Sequence, residues 1–112
     1  MSSSYEQRDR SIQIAVNAWR QGQANAPDRY AHTDGVAIYR LTTCIGLLRA
    51  GGEPPIVNVY PLGVDKDTGE ERLSRTQAAV LKAVPHAIRV RCPPGASYSD
   101  LIVAVMAGKV LA

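Results

Sequence analysis

The sequence predicts a small α+β or α/β domain in which helices predominate and pack on a short sheet of two to three strands. Three observations favour this class. An apolar stripe with helical spacing runs through residues 5–23, capping sequences precede two later apolar segments, and two short segments rich in β-forming residues flank one of them. We expect the element order α-α-β-α-β-α in two layers, and a single domain over residues 1–112.

The first predicted helix spans residues 5–23. Ile12, Val16 and Trp19 recur at helical spacing, and polar residues fill the opposite side. Ser4 begins a capping-box sequence just before the stripe. The pattern therefore predicts an amphipathic helix with one buried face.

The second predicted helix spans residues 35–50, but its pattern also fits a strand. Four apolar residues share one helical face: Ile38, Leu41, Ile45 and Leu48. Paired glycines and prolines follow it and would end a helix. The segment VAIYRLTTCI is also rich in residues that favour strands, so a strand over 36–45 remains the alternative.

The middle of the chain has the order of a βαβ unit. The segments PIVNVY and AIRVRC are short predicted strands, and Ser74 begins a capping box for the helix SRTQAAVLKAVP between them. Such a unit joins parallel strands. Two parallel strands are too few for a stable sheet, so a third strand must come from 36–43, from 71–73 or from a second subunit. The polar segment VDKDTGEERL is either a loop or a hairpin tip.

The last predicted helix begins at Ser97, which has capping-box spacing with Asp100. Nearly every later position is apolar, and a helix that is apolar all round is expected to be buried. Either a second copy of the chain or the first two helices would cover it. We expect a homodimer, with cover by the first two helices as the alternative.

The composition of the chain indicates which cellular compartment and which classes of partner to expect. The chain carries 13 Lys and Arg against 10 Asp and Glu, a formal charge of +3, with no block of like charge. It begins with a polar segment, has no apolar run of about 20 residues and contains two cysteines without a metal-binding spacing. We therefore expect a cytoplasmic protein with reduced thiols, no membrane segment, no metal and no cofactor.

The loop after the second strand resembles a catalytic loop only in outline. A phosphatase-type loop needs an arginine six residues after the cysteine, and Tyr98 occupies that position relative to Cys92. Pro93 and Pro94 also lack the N–H groups that an anion would need. Pro94 and Gly95 instead predict the centre of a type II turn.

Two further arrangements keep a metal- or thiol-dependent hydrolase open as an alternative. Asp28, His32 and Asp34 could bind a metal, and Cys92 could act as a nucleophile with a histidine as base. The acidic segment DKDTGEE lacks the ligand spacing of a calcium loop. Because no complete catalytic motif is present, the sequence favours a protein that is not an enzyme.

One surface constellation remains. We expect four apolar residues of the two short strands to face the core together: Val57, Val59, Ile88 and Val90. The opposite face would then carry a tyrosine, an amide and two guanidinium groups: Tyr60, Asn58, Arg89 and Arg91. Arg72, Arg75 and Lys82 lie near these residues in sequence. Such a face can bind phosphate groups and stack a base, although an ordinary solvated sheet face has the same composition.

The sequence therefore predicts a small non-catalytic binding module, either nucleic-acid-associated or a regulatory interaction protein. Its predicted anion-binding residues are Arg89, Arg91, Tyr60, Asn58 and Arg75. The partner would be a nucleic acid or a protein. A second hypothesis is a protein-only inhibitor or assembly subunit that acts as a homodimer through its last helix.

Overall fold

A five-stranded mixed sheet forms the centre of the fold and carries helices on both faces. The computed structural model describes residues 4–25, 30–61 and 63–111. The helices are α1 (Ser4–Arg20), α2 (Arg75–Ala83) and α3 (Tyr98–Met106). The strands are β1 (His32–Thr33), β2 (Ala37–Arg40), β3 (Thr43–Leu47), β4 (Ile56–Asn58), β5 (Gly63–Val64), β6 (Glu71–Arg72) and β7 (Ile88–Val90).

The strand order in the large sheet is β1-β2-β3-β4-β7. The first four strands are antiparallel neighbours, and β7 lies parallel to β4. Because α2 connects β4 to β7, the predicted strand–helix–strand unit with parallel strands is confirmed. The hairpin β5–β6 is inserted between β4 and α2 as a separate two-stranded sheet. At its tip the Asp65 carboxylate accepts hydrogen bonds from the backbone of Asp67 and Thr68.

The prediction of a helix over residues 35–50 is wrong, because this segment forms the hairpin β2–β3. Ile38 and Ile45 face the layer of α1 and α2, whereas Cys44 and Leu47 face α3. A strand that is buried on both faces has apolar residues at successive positions rather than at alternate ones. Over such a short segment, that pattern resembles the apolar pattern of a helix.

The predicted element order and the predicted sheet of two to three strands are therefore also wrong. The structure has three helices, a five-stranded sheet and a separate two-stranded sheet within the described residues, although its class remains α+β. The two-layer arrangement is wrong as well, because α1 and α2 cover one face of the sheet and α3 covers the other.

Trp19 is the centre of the core between the sheet and the α1–α2 layer. Its side chain is buried and its indole N–H donates a hydrogen bond of 2.8 Å to the carbonyl oxygen of Val36. A Cβ atom at Gly46 would lie 3.0 Å from the Trp19 ring and 3.0 Å from the Ile38 side chain. A side chain at position 46 would therefore require the indole ring or the Ile38 side chain to shift by a few tenths of an ångström.

The second core lies between α3 and the opposite face of the sheet. Its buried residues come from four strands or strand ends and from α3: Ala37, Cys44, Leu47, Ile56, Val90, Cys92, Ala96, Leu101 and Ala104. Because α1 and α2 lie on the other face, they do not cover α3. Within the described residues, no helix has the length and hydropathy needed to cross a membrane.

Two of the three capping predictions are confirmed, and the one at Ser4 stays a prediction. Ser74 and Gln77 form a complete capping box at the start of α2, and Ser97 and Asp100 form one at the start of α3. The turn before α3 is also as predicted: Gly95 has φ +88°, and the Ala96 N–H donates to the Pro93 carbonyl at 3.1 Å.

Candidate binding surface

Asn58 lies in the interior of the protein and not on its surface. Its side chain is fully buried and forms four hydrogen bonds with the backbone. The amide nitrogen donates to the carbonyl oxygens of Cys44 and Cys92, and the amide oxygen accepts from the N–H groups of Tyr60 and Cys92. Because every donor and acceptor of this amide is used, Asn58 is a structural residue.

The register of β4 and β7 changes the predicted faces of the strand pair. Val57 lies opposite Arg89, and Asn58 lies opposite Val90. Since paired residues of neighbouring strands share a face, the predicted grouping of Val57 with Val90 is wrong. Alternation along one strand indicates which residues share a face, but it does not give the register with the next strand.

Arg89 and Arg91 lie on the same side of the sheet as α2. They line a groove of about 280 Å³ together with Val59, Pro61, Glu71, Leu73, Leu81 and Leu111, which we call the edge groove. The Arg91 guanidinium pairs with the Glu71 carboxylate at 2.8 Å, and both side chains are half-exposed. Arg89 is exposed on the edge strand of the sheet. The edge groove thus combines an apolar floor with two cations and one carboxylate.

Arg75 lies in a different groove, on the other side of α2. This groove, which we call the helix groove, measures about 500 Å³ and separates α1 from α2. Its apolar residues are Ile12, Ala78, Ala79 and Ala83, and its polar residues are Asp9, Gln13, Arg20, Arg75 and Lys82. The Arg75 guanidinium lies 3.2 Å from each carboxylate oxygen of Asp9.

Two cations of the helix groove, Arg20 and Lys82, take part in no ion pair of the described residues. Arg20 is not among the site residues that the sequence predicts. The signal that could have found it is its position on the last turn of α1, but using that signal requires knowing that α1 packs beside α2.

The structure therefore divides the predicted site. Arg89 and Arg91 share the edge groove, Arg75 lies across α2 from them, and Asn58 is buried beneath. Tyr60 is half-buried and lines neither groove, while its carbonyl oxygen accepts a hydrogen bond from the buried Gln77 amide at 2.7 Å.

The two grooves together carry a net positive charge. Five cations and two carboxylates line the two grooves, a net charge of +3 on the side of the molecule that carries α2.

Neither cysteine has the properties of a nucleophile. Burial raises the pKa of the Cys44 thiol to about 12. Burial and then the nearby Asp100 carboxylate raise the pKa of the Cys92 thiol. Because the thiolate is the reactive form, a raised pKa lowers the reactivity of both cysteines at neutral pH.

The residues of the metal hypothesis have structural roles where the structure describes them. The Asp34 carboxylate accepts hydrogen bonds from the N–H groups of Val36 and Ala37, and the His32 ring stacks on Tyr39 with 5.3 Å between centroids. Asp28 lies outside the described residues. Among the residues that are described, no group of three or more metal-binding side chains comes together.

Comparisons of the chain with protein-family models, with curated proteins and with solved structures each find no match.

Proposed function

We propose that this protein is a non-catalytic binding module that docks an acidic, amphipathic segment of a protein partner along α2. The observation that carries the proposal is the combination of an apolar floor and a cationic rim in both grooves beside this helix. Such a groove can receive apolar side chains of a partner while its rim pairs with the partner's carboxylates.

The helix groove is the better of the two candidate docking grooves. Its floor is aliphatic, and three cations against one carboxylate surround it. Arg20 and Lys82 make no ion pair among the described residues, so they can meet a partner's carboxylates without first losing an internal contact. In the edge groove Arg91 must instead exchange Glu71 for the partner.

The lining of the grooves favours an acidic protein segment over nucleic acid. Among the described residues, no aromatic side chain lines either groove, so a base would find no ring on which to stack. The aliphatic floor offers contacts that phosphate groups cannot use. Arginine guanidinium groups pair equally well with carboxylates, through two parallel hydrogen bonds.

Binding of three probes with matched charge tests the proposal. The probes are an amphipathic Glu/Leu helical peptide, a polyglutamate peptide without apolar residues, and single-stranded DNA. We expect the amphipathic peptide to bind most tightly, with an affinity that falls as salt rises. Equal or tighter binding of DNA would show that the partner is a nucleic acid and not a protein. The absence of binding to all three probes would overturn the proposal.

Two variants localise the binding. The double variant Arg20→Ala/Lys82→Ala removes the two groove cations that make no ion pair within the described part of the chain, and it should lower the affinity for the amphipathic peptide about tenfold. Lys66→Ala removes an exposed cation that lines neither groove and should leave the affinity unchanged. Equal losses in both proteins would show that binding follows net charge and not the helix groove.

We also propose a cytoplasmic location. Both cysteines are free thiols, and reduced thiols are typical of that compartment. Cell fractionation with an antibody against the native chain would test this assignment, and recovery in an oxidising compartment would contradict it.

A further inference from the structure

The outward face of α3 is apolar and exposed. Four large apolar side chains project from this helix with exposed fractions of 51% for Tyr98, 37% for Ile102, 60% for Val103 and 82% for Met106. Leu101 and Ala104 are buried against the sheet on the opposite side of the helix. This helix therefore has two apolar faces, only one of which the described residues cover.

The charges at the ends of α3 indicate what can cover the outward face. Asp100 lies in the first turn of the helix, and Lys109 lies just after its end. Both residues line the same groove of about 410 Å³, together with Val103, so they lie on the same flank of the helix. The opposite wall of this groove is formed by Arg91 and the segment 92–96 that precedes α3. The flank thus carries a negative charge at one end and a positive charge at the other, with apolar surface between them.

This distribution of charge is complementary to itself when two copies pack in opposite directions. In an antiparallel pair of helices the same flanks meet, with the start of one helix beside the end of the other. With the two-fold axis at Ile102, Asp100 of each copy lies about 7 Å along the helix axis from Lys109 of the partner subunit. The long lysine side chain can span this distance, so the ion pair occurs twice. The helix dipoles also oppose each other favourably. In a parallel pair the same flanks lie on opposite sides of the interface, so Asp100 would face no Lys109 of the partner subunit.

We propose that α3 is the interface of a two-fold symmetric homodimer in which the two copies of the helix pack antiparallel through Ile102, Val103 and Met106. The occupant is a second copy because a two-fold interface has to be self-complementary, and this face is apolar with charges that complement each other in an antiparallel pair. A helix of nine residues is only about 14 Å long, so the interface is small and the dimer depends on concentration.

The dimer and the proposed partner groove do not compete. α3 covers one face of the sheet, whereas the helix groove lies on the other face. A dimer would therefore present two helix grooves at once, and a partner with two acidic segments would bind it more tightly than it binds the monomer. The dimer itself does not rest on the proposed function.

Sedimentation equilibrium over a range of concentrations tests the dimer. The wild-type protein should convert from monomer to dimer as concentration rises, and Met106→Glu should remain monomeric while unfolding at the same urea concentration as the wild type. Ile14→Glu is the matched control, because Ile14 is an exposed apolar residue of α1 with an exposed fraction of 56%. A wild-type monomer at the highest soluble concentration, or an unaffected Met106→Glu dimer, would overturn the proposal.

Cysteine cross-linking tests the direction of packing. Ile102 lies at the centre of α3, so Ile102→Cys should form a disulfide-linked dimer under mild oxidation. In an antiparallel pair the two Met106 positions are roughly 12 Å apart along the helix axis, so Met106→Cys should not cross-link to itself. It should cross-link to Tyr98→Cys in a mixture. Efficient self-cross-linking of both Ile102→Cys and Met106→Cys would show a parallel pair, and self-cross-linking of Met106→Cys alone would contradict packing centred on Ile102.

The ion pair has its own test. Lys109→Glu places a carboxylate beside Asp100 of the partner subunit and should weaken the dimer about tenfold, whereas Lys66→Glu makes the same change of charge elsewhere. The difference between these variants should shrink as salt rises. Equal dimer affinity for both variants would show that Asp100 and Lys109 of the partner subunit do not form an ion pair.

Discussion

The side chain of Asn58 pairs with the backbone of Cys92 as a neighbouring strand would. The amide oxygen of Asn58 accepts from the Cys92 N–H at 3.0 Å, and the amide nitrogen donates to the Cys92 carbonyl at 2.9 Å. The same nitrogen donates to the Cys44 carbonyl on β3 at 3.2 Å. One buried side chain therefore satisfies backbone groups on both sides of β4, at the point where β4 ends.

Replacement of Asn58 should destabilise the fold strongly. Asn58→Ala removes four hydrogen bonds and leaves buried backbone groups without partners, which costs about 1–3 kcal/mol for each group that water cannot reach. We expect the free energy of unfolding, measured with urea, to fall by about 3 kcal/mol or more. Asn17→Ala, at an exposed position of α1, should change it by less than about 0.5 kcal/mol. Similar values for both variants would show that the buried amide contributes little.

Asn58 also illustrates what could not be predicted from the sequence. An asparagine that alternates with valines in a short segment is typical of a solvent-exposed strand position. Its burial depends on the backbone of Cys44 and Cys92, which are distant in sequence and meet it only in the folded sheet. The capping boxes at Ser74 and Ser97 were predictable because all their partners lie within four residues.

The same distinction explains the division of the predicted site. The βαβ order gave the parallel pairing of β4 with β7, but not which residue of β7 lies beside Val57. It also could not show that α2 separates Arg75 from Arg89, because that depends on where α1 packs. The hairpin β2–β3 could not be distinguished from a helix because both faces of its strands are buried. Burial on both faces places apolar residues at successive positions instead of at alternate ones.

Gly46 should not tolerate a larger residue. The added Cβ atom of Gly46→Ala would lie 3.0 Å from the Trp19 ring and from the Ile38 side chain, so one of these groups must move. We expect a loss of about 2 kcal/mol in the free energy of unfolding and a change in Trp19 fluorescence. Gly63→Ala is the control, since a Cβ at this position meets nothing within 4 Å. An unchanged stability in Gly46→Ala would show that the contact relaxes easily.

Stability should fall at alkaline pH because of Cys44. Burial raises the pKa of this thiol from 9.0 to about 12, so the folded protein retains a proton that the unfolded chain releases. The contribution is complete below the unfolded pKa and is lost as pH rises towards the folded pKa. Urea unfolding between about pH 7 and about pH 10.5 should therefore show a steeper decline for the wild type than for Cys44→Ala. Parallel declines would indicate that other groups cause the loss.

Replacement of Leu41 by glycine should stabilise the protein, whereas the substitutions above should destabilise it. Leu41 is the first of the two residues that connect β2 to β3, and its φ of 55° lies in the left-handed region. A side chain in that region costs about 1–2 kcal/mol, and Leu41 recovers little by burial because its side chain is 54% exposed. We expect Leu41→Gly to raise the free energy of unfolding by about 0.5–1 kcal/mol after the greater flexibility of the unfolded chain is subtracted. Leu41→Ala keeps the Cβ atom and should give no such gain. If alanine stabilises as much as glycine, the effect comes from the loss of an exposed apolar side chain and not from the backbone.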